Sequence, residues 1–498
     1  MVKAEMKIEK FIQPYAGRDN FAEIQVSFLP LGNVVSPRVA VVFSCGKDNR
    51  RLPMTVSTEN GRVYAHGVYE TDYIFYDVKA DKISVSFIFS DGTDNGESYE
   101  TDLVIDNTKF RHSPLRHFIS MTKREKKKAL TSFALNAFSL PFRLLKIRQN
   151  RISFFTNRTD IPTGNIKAVY DTFKDDDNFD VHIVCKAGGM KSAYSRIFTF
   201  LKLYMTSRVV FVDDYYHLIT YVKKKKGTQL IQLWHACGAF KTFGFSRFHK
   251  DSDLQIYSPN HRQYDYAVVS SPQACSFYAE AFGISEERAV ALGSPRCDAI
   301  MDADNQHRVK EELYSCYPHL KDKKILTFAP TFRGRGNGDC YYPADKFNAA
   351  RVLDILGDEW AVVIKLHPYL KEKFGIDEKY SSQFADCSDW DVNDVLQITD
   401  FLVTDYSSVI FEASLLDIPM AFLTFDLEEF IAGRDFYYDF KSFIPGPMAD
   451  TDEKIALIVK NNGGNPEAVR QFKQRAFGDT VGTACRNVKD FTVNLLKR

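Results

Sequence analysis

The chain has 498 residues, 45% hydrophobic and 26% charged, the balance of a soluble globular protein with several cores. Lysine plus arginine (65) nearly cancels aspartate plus glutamate (64), so the overall charge selects no partner. The nine cysteines are scattered without a CxxC pair or His/Cys cluster, which argues against a disulfide framework or a zinc site and fits reduced thiols.

Residues 1–110 carry short runs of Val, Ile, Phe and Tyr in rough alternation, at Ala22–Leu29, Arg38–Ser44, Tyr73–Val78 and Ile83–Phe89. Turns at Gly46-Lys47-Asp48-Asn49, Asn60-Gly61 and Asp91-Gly92 separate them, and the pattern predicts a small β-sandwich with no catalytic constellation. The N-terminus has no apolar h-region, so no signal peptide is expected.

Residues 111–150 form a basic segment. From Arg111 to Arg151 there are eleven Lys/Arg and a single acidic residue, Glu125. Leu130, Phe133, Leu135, Phe138 and Leu144/Leu145 recur at helical spacing between cationic flanks, and Pro141 is expected to interrupt the helix. This pattern suits a helix lying on an anionic membrane surface; the alternative is a linker helix whose apolar face packs on protein. No apolar window is long enough for a transmembrane helix.

From Arg151 strands alternate with helices. One series is Ile152–Thr156, Val181–Cys185, Val209–Val212, Leu230–Trp234, Tyr266–Ser270 and Val290–Leu292. A second is Lys324–Phe328, Ala361–Leu366, Phe401–Thr404 and Met420–Phe425. Such alternation predicts α/β architecture with two parallel sheets, one unit spanning 151–310 and the other 311–498. The region 298–322 reads as the helical join, and a last helix from about Asn487 to Leu496 is expected to pack back on the first unit.

Four segments follow predicted strands, where open α/β sheets place ligand-binding loops. His235, in Trp234-His235-Ala236-Cys237-Gly238, can take a proton from a hydroxyl near neutral pH; Gly238 and Lys241 in the same loop are substrate-binding candidates. Thr331 and Arg333, in Pro330-Thr331-Phe332-Arg333-Gly334-Arg335-Gly336, bring a hydroxyl and a guanidinium suited to phosphate. Lys365 and His367 alternate around Leu366 and suit an anionic ligand. Ser407 and Ser408 open a helix whose free N–H groups favour a pyrophosphate, and Glu412, one turn on, could accept from ribose hydroxyls. Alone, each has a bland reading as a structural histidine, basic turn, polar pair or helix cap. Asp213-Asp214 could suggest a metal, but cations and a helix dipole already supply countercharge, and neither metal nor cofactor is expected.

In combination these stretches resemble the CDP-glycerol glycerophosphotransferases, which build teichoic acids and related capsule polymers. The resemblance rests on QLWHACGAFKTFGFSR (232–247), YDYAVVSSP (264–272), GSPRCD (293–298), FAPTFRGRG (328–336), KLHP (365–368), TDYSSVIFEASLLDIPMAF (404–422) and DFYYDF with PGP (435–447). It covers about 151–496. It implies a GT-B architecture, two Rossmann-like domains facing a cleft. It also implies transfer of glycerol phosphate or ribitol phosphate from CDP-glycerol or CDP-ribitol to a lipid-linked polyol-phosphate acceptor, with release of CMP. By position, His235 is then the base, His367 the second catalytic histidine, and Thr331, Ser407 and Ser408 the phosphate binders. Many glycerol-transferring members carry a Trp-His-Gly-Thr-Pro-type motif where this chain has Trp234-His235-Ala236-Cys237-Gly238, a version that resembles ribitol branches equally. Both donors therefore stay open. Peripheral contact with the cytoplasmic face of the membrane through 111–150 is expected, a homo-oligomer is left open, and no nucleic-acid module is found. The alternatives are a GT-B glycosyltransferase using a nucleotide sugar and a non-catalytic scaffold that binds anionic polymer.

Overall fold

The computed structural model describes residues 4–12, 21–30, 34, 36–46, 48–70, 82–91, 96–106, 123–186, 190–247, 261, 263–334, 339–370, 374–375 and 378–497. The expected strand at 73–78, the basic residues of 111–122, Lys47, Gly92, Arg335 and Gly336 lie outside these residues.

The first region is all antiparallel. Its strands are β1 (Glu5–Ile12), β2 (Phe21–Leu29), β3 (Arg38–Cys45), β4 (Asp48–Pro53), β5 (Thr55–Glu59), β6 (Arg62–Glu70), β7 (Lys82–Ser90), β8 (Glu97–Tyr99) and β9 (Val104–Asp106). They form one sheet in the order β1-β2-β6-β5 and another in the order β4-β3-β7-β8, with β9 on β7. Ala22, Ile24, Val26 and Phe28 of β2 meet Val39, Val41 and Phe43 of β3 and Ile83, Val85 and Phe87 of β7 in one core. Strict alternation puts every second residue on the inner face, so the two sheets close as a sandwich. Asn60-Gly61 makes the β5–β6 hairpin turn, both residues with positive φ.

A long helix follows, α1 (Lys123–Arg143). Pro141 does not interrupt it. It lies in the last turn, and the helix ends two residues later, so the lost hydrogen bond and the crowded carbonyl fall at the helix end and not in its middle.

The rest is α/β. The first sheet comprises β10 (Arg148–Phe155), β11 (Asp180–Val184), β12 (Ser207–Val212), β13 (Gln229–Gln232), β14 (Tyr266–Val269) and β15 (Ala289–Ala291). All its pairs are parallel, in the order β11-β10-β12-β13-β14-β15. Helices α2 (Gly164–Phe173), α3 (Met190–Thr206) and α4 (Pro272–Phe282) belong to this unit, and α5 (Ala303–Cys316) leads out of it. The second sheet comprises β16 (Lys324–Phe328), β17 (Trp360–Ile364), β18 (Phe384–Asp386), β19 (Phe401–Thr404), β20 (Met420–Leu423) and β21 (Met448–Ala449), parallel in the order β18-β17-β16-β19-β20-β21. With it go α6 (Ala349–Leu356), α7 (Val409–Leu415), α8 (Asp452–Lys460) and α9 (Pro466–Phe477). Helix α10 (Ala484–Leu496) returns to the first sheet, where Val488 and Leu495 join the core of Ile152, Phe154, Val209 and Phe211. Central strands such as β12 and β17 are buried along their whole length, as helices on both faces require.

Candidate active site

In each parallel sheet the strand order reverses once, between β10 and β12 in the first and between β16 and β19 in the second. Loops leaving in opposite directions there open a crevice at the carboxyl ends of the strands, the ligand site of open α/β sheets. Every motif singled out in the sequence leaves a strand at that edge: the His235 loop after β13, Thr331 and Arg333 after β16, Lys365 and His367 after β17, Ser407 and Ser408 after β19.

The His235 loop begins with strain. Trp234 has φ +51°, a region a bulky L-residue avoids. Three hydrogen bonds hold it there: its N–H donates to Gln232 Oε1 (2.8 Å), and Asn165 Nδ2 donates to the Leu233 (3.2 Å) and Trp234 (3.0 Å) carbonyls. The indole stacks on Phe243 at 5.0 Å, and the His235 ring lies 4.4 Å from it. This puts His235 Nδ1 3.7 Å from Asp214 Oδ1, with about a third of each side chain exposed. Nδ1 is buried and has no hydrogen-bond partner. Burial pushes the imidazole pKa down to about 4, and Asp214 opposes the shift. The ring is therefore neutral near pH 7, the state a general base needs. Asp214 itself is held by the Tyr215 N–H at 2.7 Å. The adjacent Asp213 is buried, its Oδ1 is unpaired, and burial raises its carboxyl to about 6.

Further along, Gly238 has φ +60°, and a Cβ there would lie 2.2 Å from the Phe411 ring of α7. Only glycine lets the loop pass this close to the second unit. Lys241 pairs with Phe436 in an isolated antiparallel bridge, flanked by Thr242 N–H to Asp435 O (3.1 Å) and Tyr437 N–H to Phe240 O (2.8 Å).

The second crevice is built differently. Arg333 is buried and donates to both oxygens of Asp426 (2.7 and 2.9 Å), to Asp405 (2.8 Å) and to the Thr331 carbonyl (2.5 Å). Tyr342, Tyr406, Phe425 and Phe430 surround the guanidinium. Arg333 is expected from the sequence to hold phosphate; here two carboxylates and a carbonyl take four of its five donors. Its role is to hold Asp405, which also accepts the Thr331 (2.7 Å) and Tyr406 (2.5 Å) N–H groups. Lys365 is likewise buried, donating to the Leu366 (3.1 Å) and Ser388 (2.9 Å) carbonyls; burial lowers its pKa. One of its three protons remains for a ligand.

Glu412, expected to accept from ribose hydroxyls, is buried and ion-paired to Arg296 and so links the two units. Arg296 also approaches Cys237 Sγ, which lies 3.1 Å from Cys297 Sγ.

The other polar groups at this edge are hydroxyls and an imidazole. The Thr331 hydroxyl is buried and unpaired. Ser407 Oγ accepts from the Val409 N–H at 3.4 Å, whereas the Ser408 side chain makes no cap hydrogen bond; both are half-buried. His367 packs 4.8 Å from both Phe332 and Tyr369. Its Nδ1 accepts the Tyr369 N–H at 3.2 Å, so the neutral ring carries its proton on Nε2. The fold thus gathers Thr331, His367, Ser407 and Ser408, with the His235 loop brought beside α7 by Phe411. Asp214 is the residue sequence reasoning passed over as a partner for His235. Its signal was there, an acidic pair ending the strand next to β13.

One crevice thus holds a histidine whose pKa burial lowers, and the other holds hydroxyls and a second histidine. The chain belongs to the CDP-glycerol:poly(glycerophosphate) glycerophosphotransferase family, whose model matches residues 137–494. It is 41% identical over 353 residues to a teichoic acid poly(ribitol-phosphate) polymerase of Bacillus spizizenii, covering 70% of this chain and 57% of that one. It is 36% identical over 374 residues to a teichoic acid ribitol-phosphate primase of the same species, covering 72% and 95%. Among solved structures, the wall teichoic acid polymerase TagF superposes with a TM-score of 0.61 at 20% identity, over 76% of this chain and 99% of that one.

Proposed function

We propose that the protein moves ribitol phosphate from CDP-ribitol to the terminal hydroxyl of a lipid-linked polyol-phosphate acceptor, releasing CMP. The observation that carries this is His235, held neutral beside Asp214 at a strand-end crevice. With Asp214 at Nδ1, Nε2 is the nitrogen left to take the acceptor proton. The acceptor oxygen attacks the donor's β-phosphorus; a new P–O bond forms and the P–O bond to the CMP phosphate breaks. His367 Nε2–H, the Thr331, Ser407 and Ser408 hydroxyls and the remaining Lys365 proton stabilise charge on the transferring and leaving phosphates. Gly238 admits the donor side of α7, and the Lys241 backbone fixes the loop. Ribitol is preferred to glycerol because the four relatives at 36–41% identity are named for ribitol phosphate.

Two Rossmann-like domains in a GT-B arrangement, 151–310 and 311–498, fit this reading, with 1–110 as a separate β domain and 111–150 as a membrane-contacting linker. The last proposal rests on the inverted sidedness of α1. Its polar residues Ser132 and Asn136 bond the Tyr221 carbonyl, and Phe142 and Leu135 pack inward. Phe133 (74% exposed), Leu130, Phe138 and Leu140 point away from the protein, as does Leu144 (87%) just beyond the helix. No described helix is long and apolar enough to cross a membrane. An outward apolar stripe beside Lys126, Lys127 and Lys128 suits the anionic cytoplasmic leaflet.

The test is CMP release by purified protein given CDP-ribitol or CDP-glycerol with a polyol-phosphate acceptor. Acceptor-dependent CMP from CDP-ribitol, lost in His235→Ala, is expected. CMP from CDP-glycerol alone overturns the donor, and none from either overturns the reaction. For the membrane, Phe133→Asp with Phe138→Asp should abolish sedimentation with anionic vesicles; undiminished binding overturns that contact.

A further inference from the structure

The β-sandwich lies outside the residues matched by the family model, yet it grips the elements that hold His235. The first grip is on the loop itself. Phe245, ten residues after His235, is fully buried in the core of the sandwich, the one fully enclosed member of that core among the described residues from outside 22–105. The preceding Gly244 has φ +52°, and a Cβ there would sit 2.1 Å from the Ala281 carbonyl, so the loop turns hard against α4 before entering the sandwich.

The second grip is on α4. Glu280, buried on that helix, pairs with Arg51 (2.9 Å) and Arg38 (3.4 Å), and Arg50 donates to the Gly283 carbonyl at the helix end (2.8 Å). Two residues from Glu280, the Tyr278 hydroxyl lies within hydrogen-bond reach of the carbonyls of Ala236 (3.2 Å) and Gly238 (3.0 Å), on either side of Cys237 in the His235 loop. Phe282, also on α4, packs on Trp234 at 5.3 Å.

The third grip is on the segment that bridges to the loop. Arg38 donates to the Phe436 carbonyl at 2.8 Å and lies over the Tyr437 ring. Phe436 is the bridge partner of Lys241, and the Tyr437 hydroxyl bonds Ser246 at 2.8 Å.

We propose that the N-terminal β-sandwich is a brace that sets the position of His235, with Phe245, Arg38 and Arg51 as positioning residues. Strain at Trp234 needs over-determined surroundings to persist, and the sandwich fastens the loop, the helix and the segment that pack around it. A shift of about 1 Å in a reacting group costs on the order of 100-fold in rate. The inference rests on the proposed transfer reaction only for its kinetic readout.

The experiment uses the full chain carrying Arg38→Met and Arg51→Met, with Glu280→Gln as the milder variant if the double variant does not fold. Amide hydrogen exchange over 235–244 should rise in the variant while exchange in the second sheet stays as in the wild type. CMP release should show kcat lowered by about 10–100-fold with the donor KM unchanged, the mark of misplacement rather than lost binding. Unchanged exchange over 235–244 overturns the brace whatever the reaction is. Increased exchange with no CMP from the wild type leaves the brace standing and overturns the transfer reading. Increased exchange with undiminished kcat overturns the positioning role.

Discussion

The two crevices are made of similar residues and put to opposite uses. Around Arg333 the charged groups are matched: two carboxylates, a guanidinium, a carbonyl and two backbone N–H groups bond one another inside a ring of aromatic side chains, and only the Thr331 and Tyr342 hydroxyls among the described residues there lack a partner. Around His235 the matching is withheld. Nδ1 has no hydrogen bond, Asp214 stands 3.7 Å away, Asp213 keeps an unpaired oxygen, and Trp234 sits in a strained conformation. A satisfied network is rigid and chemically silent, whereas unmet hydrogen-bonding capacity at a half-open site is available to substrate.

The contrast can be broken by substitution. His235→Ala should lower kcat for CMP release by about 10²–10⁴-fold and leave the melting temperature within a few degrees of wild type, because the ring has few bonds to lose. Arg333→Met should do the reverse. Leaving Asp405 and Asp426 buried without a counter-ion costs about 3–5 kcal/mol, seen in denaturant unfolding, with activity per folded molecule falling far less. Equal stability losses in the two variants would erase the distinction. Asp214→Asn is expected to lower kcat about 10-fold or more through loss of the charge that supports the imidazolium. It should also move the acid limb of kcat/KM to lower pH, since Asp214 raises the histidine pKa.

The wild-type pH profile sharpens the same point. The folded pKa of His235 lies below its unfolded value, so the folded enzyme resists protonation. The His235-dependent fall of kcat/KM should come well below pH 6.5, near the folded value of about 4. Stability contributed by keeping this ring neutral is present above the unfolded pKa and is lost as pH falls through 6.5 toward 4. An acid limb at 6.5 would place His235 in an ordinary aqueous setting. Smallest of all, Ser408→Ala should raise donor KM a few-fold without changing unfolding, since that hydroxyl caps nothing.

Much of this was legible in the sequence. Lys324–Phe328 and Phe401–Thr404 are short apolar runs with sharp polar ends, and the strands begin and end there. Four motifs could be set at strand ends because each follows such a run. β5, by contrast, reads Thr-Val-Ser-Thr-Glu and is mostly exposed at a sheet edge, so no apolar alternation announces it. The fate of Arg333 was hidden too. Its bidentate partner Asp426 lies 93 residues away, beyond β17, β18, β19 and β20, and only the folded chain decides that the guanidinium meets carboxylate before phosphate. The ion pair of Glu412 was hidden for the same reason, since Arg296 reaches it from the other unit.

The chain passes between the two sheets twice, outward near Asp298 and back near Thr483, and the two passages touch. Both oxygens of the Asp298 carboxylate accept N–H groups at the start of α10, from Ala484 at 3.2 Å and Cys485 at 2.7 Å. Two connections clasped at one point act as a single narrow hinge, and the amplitude of any swing between the units grows with distance from that clasp.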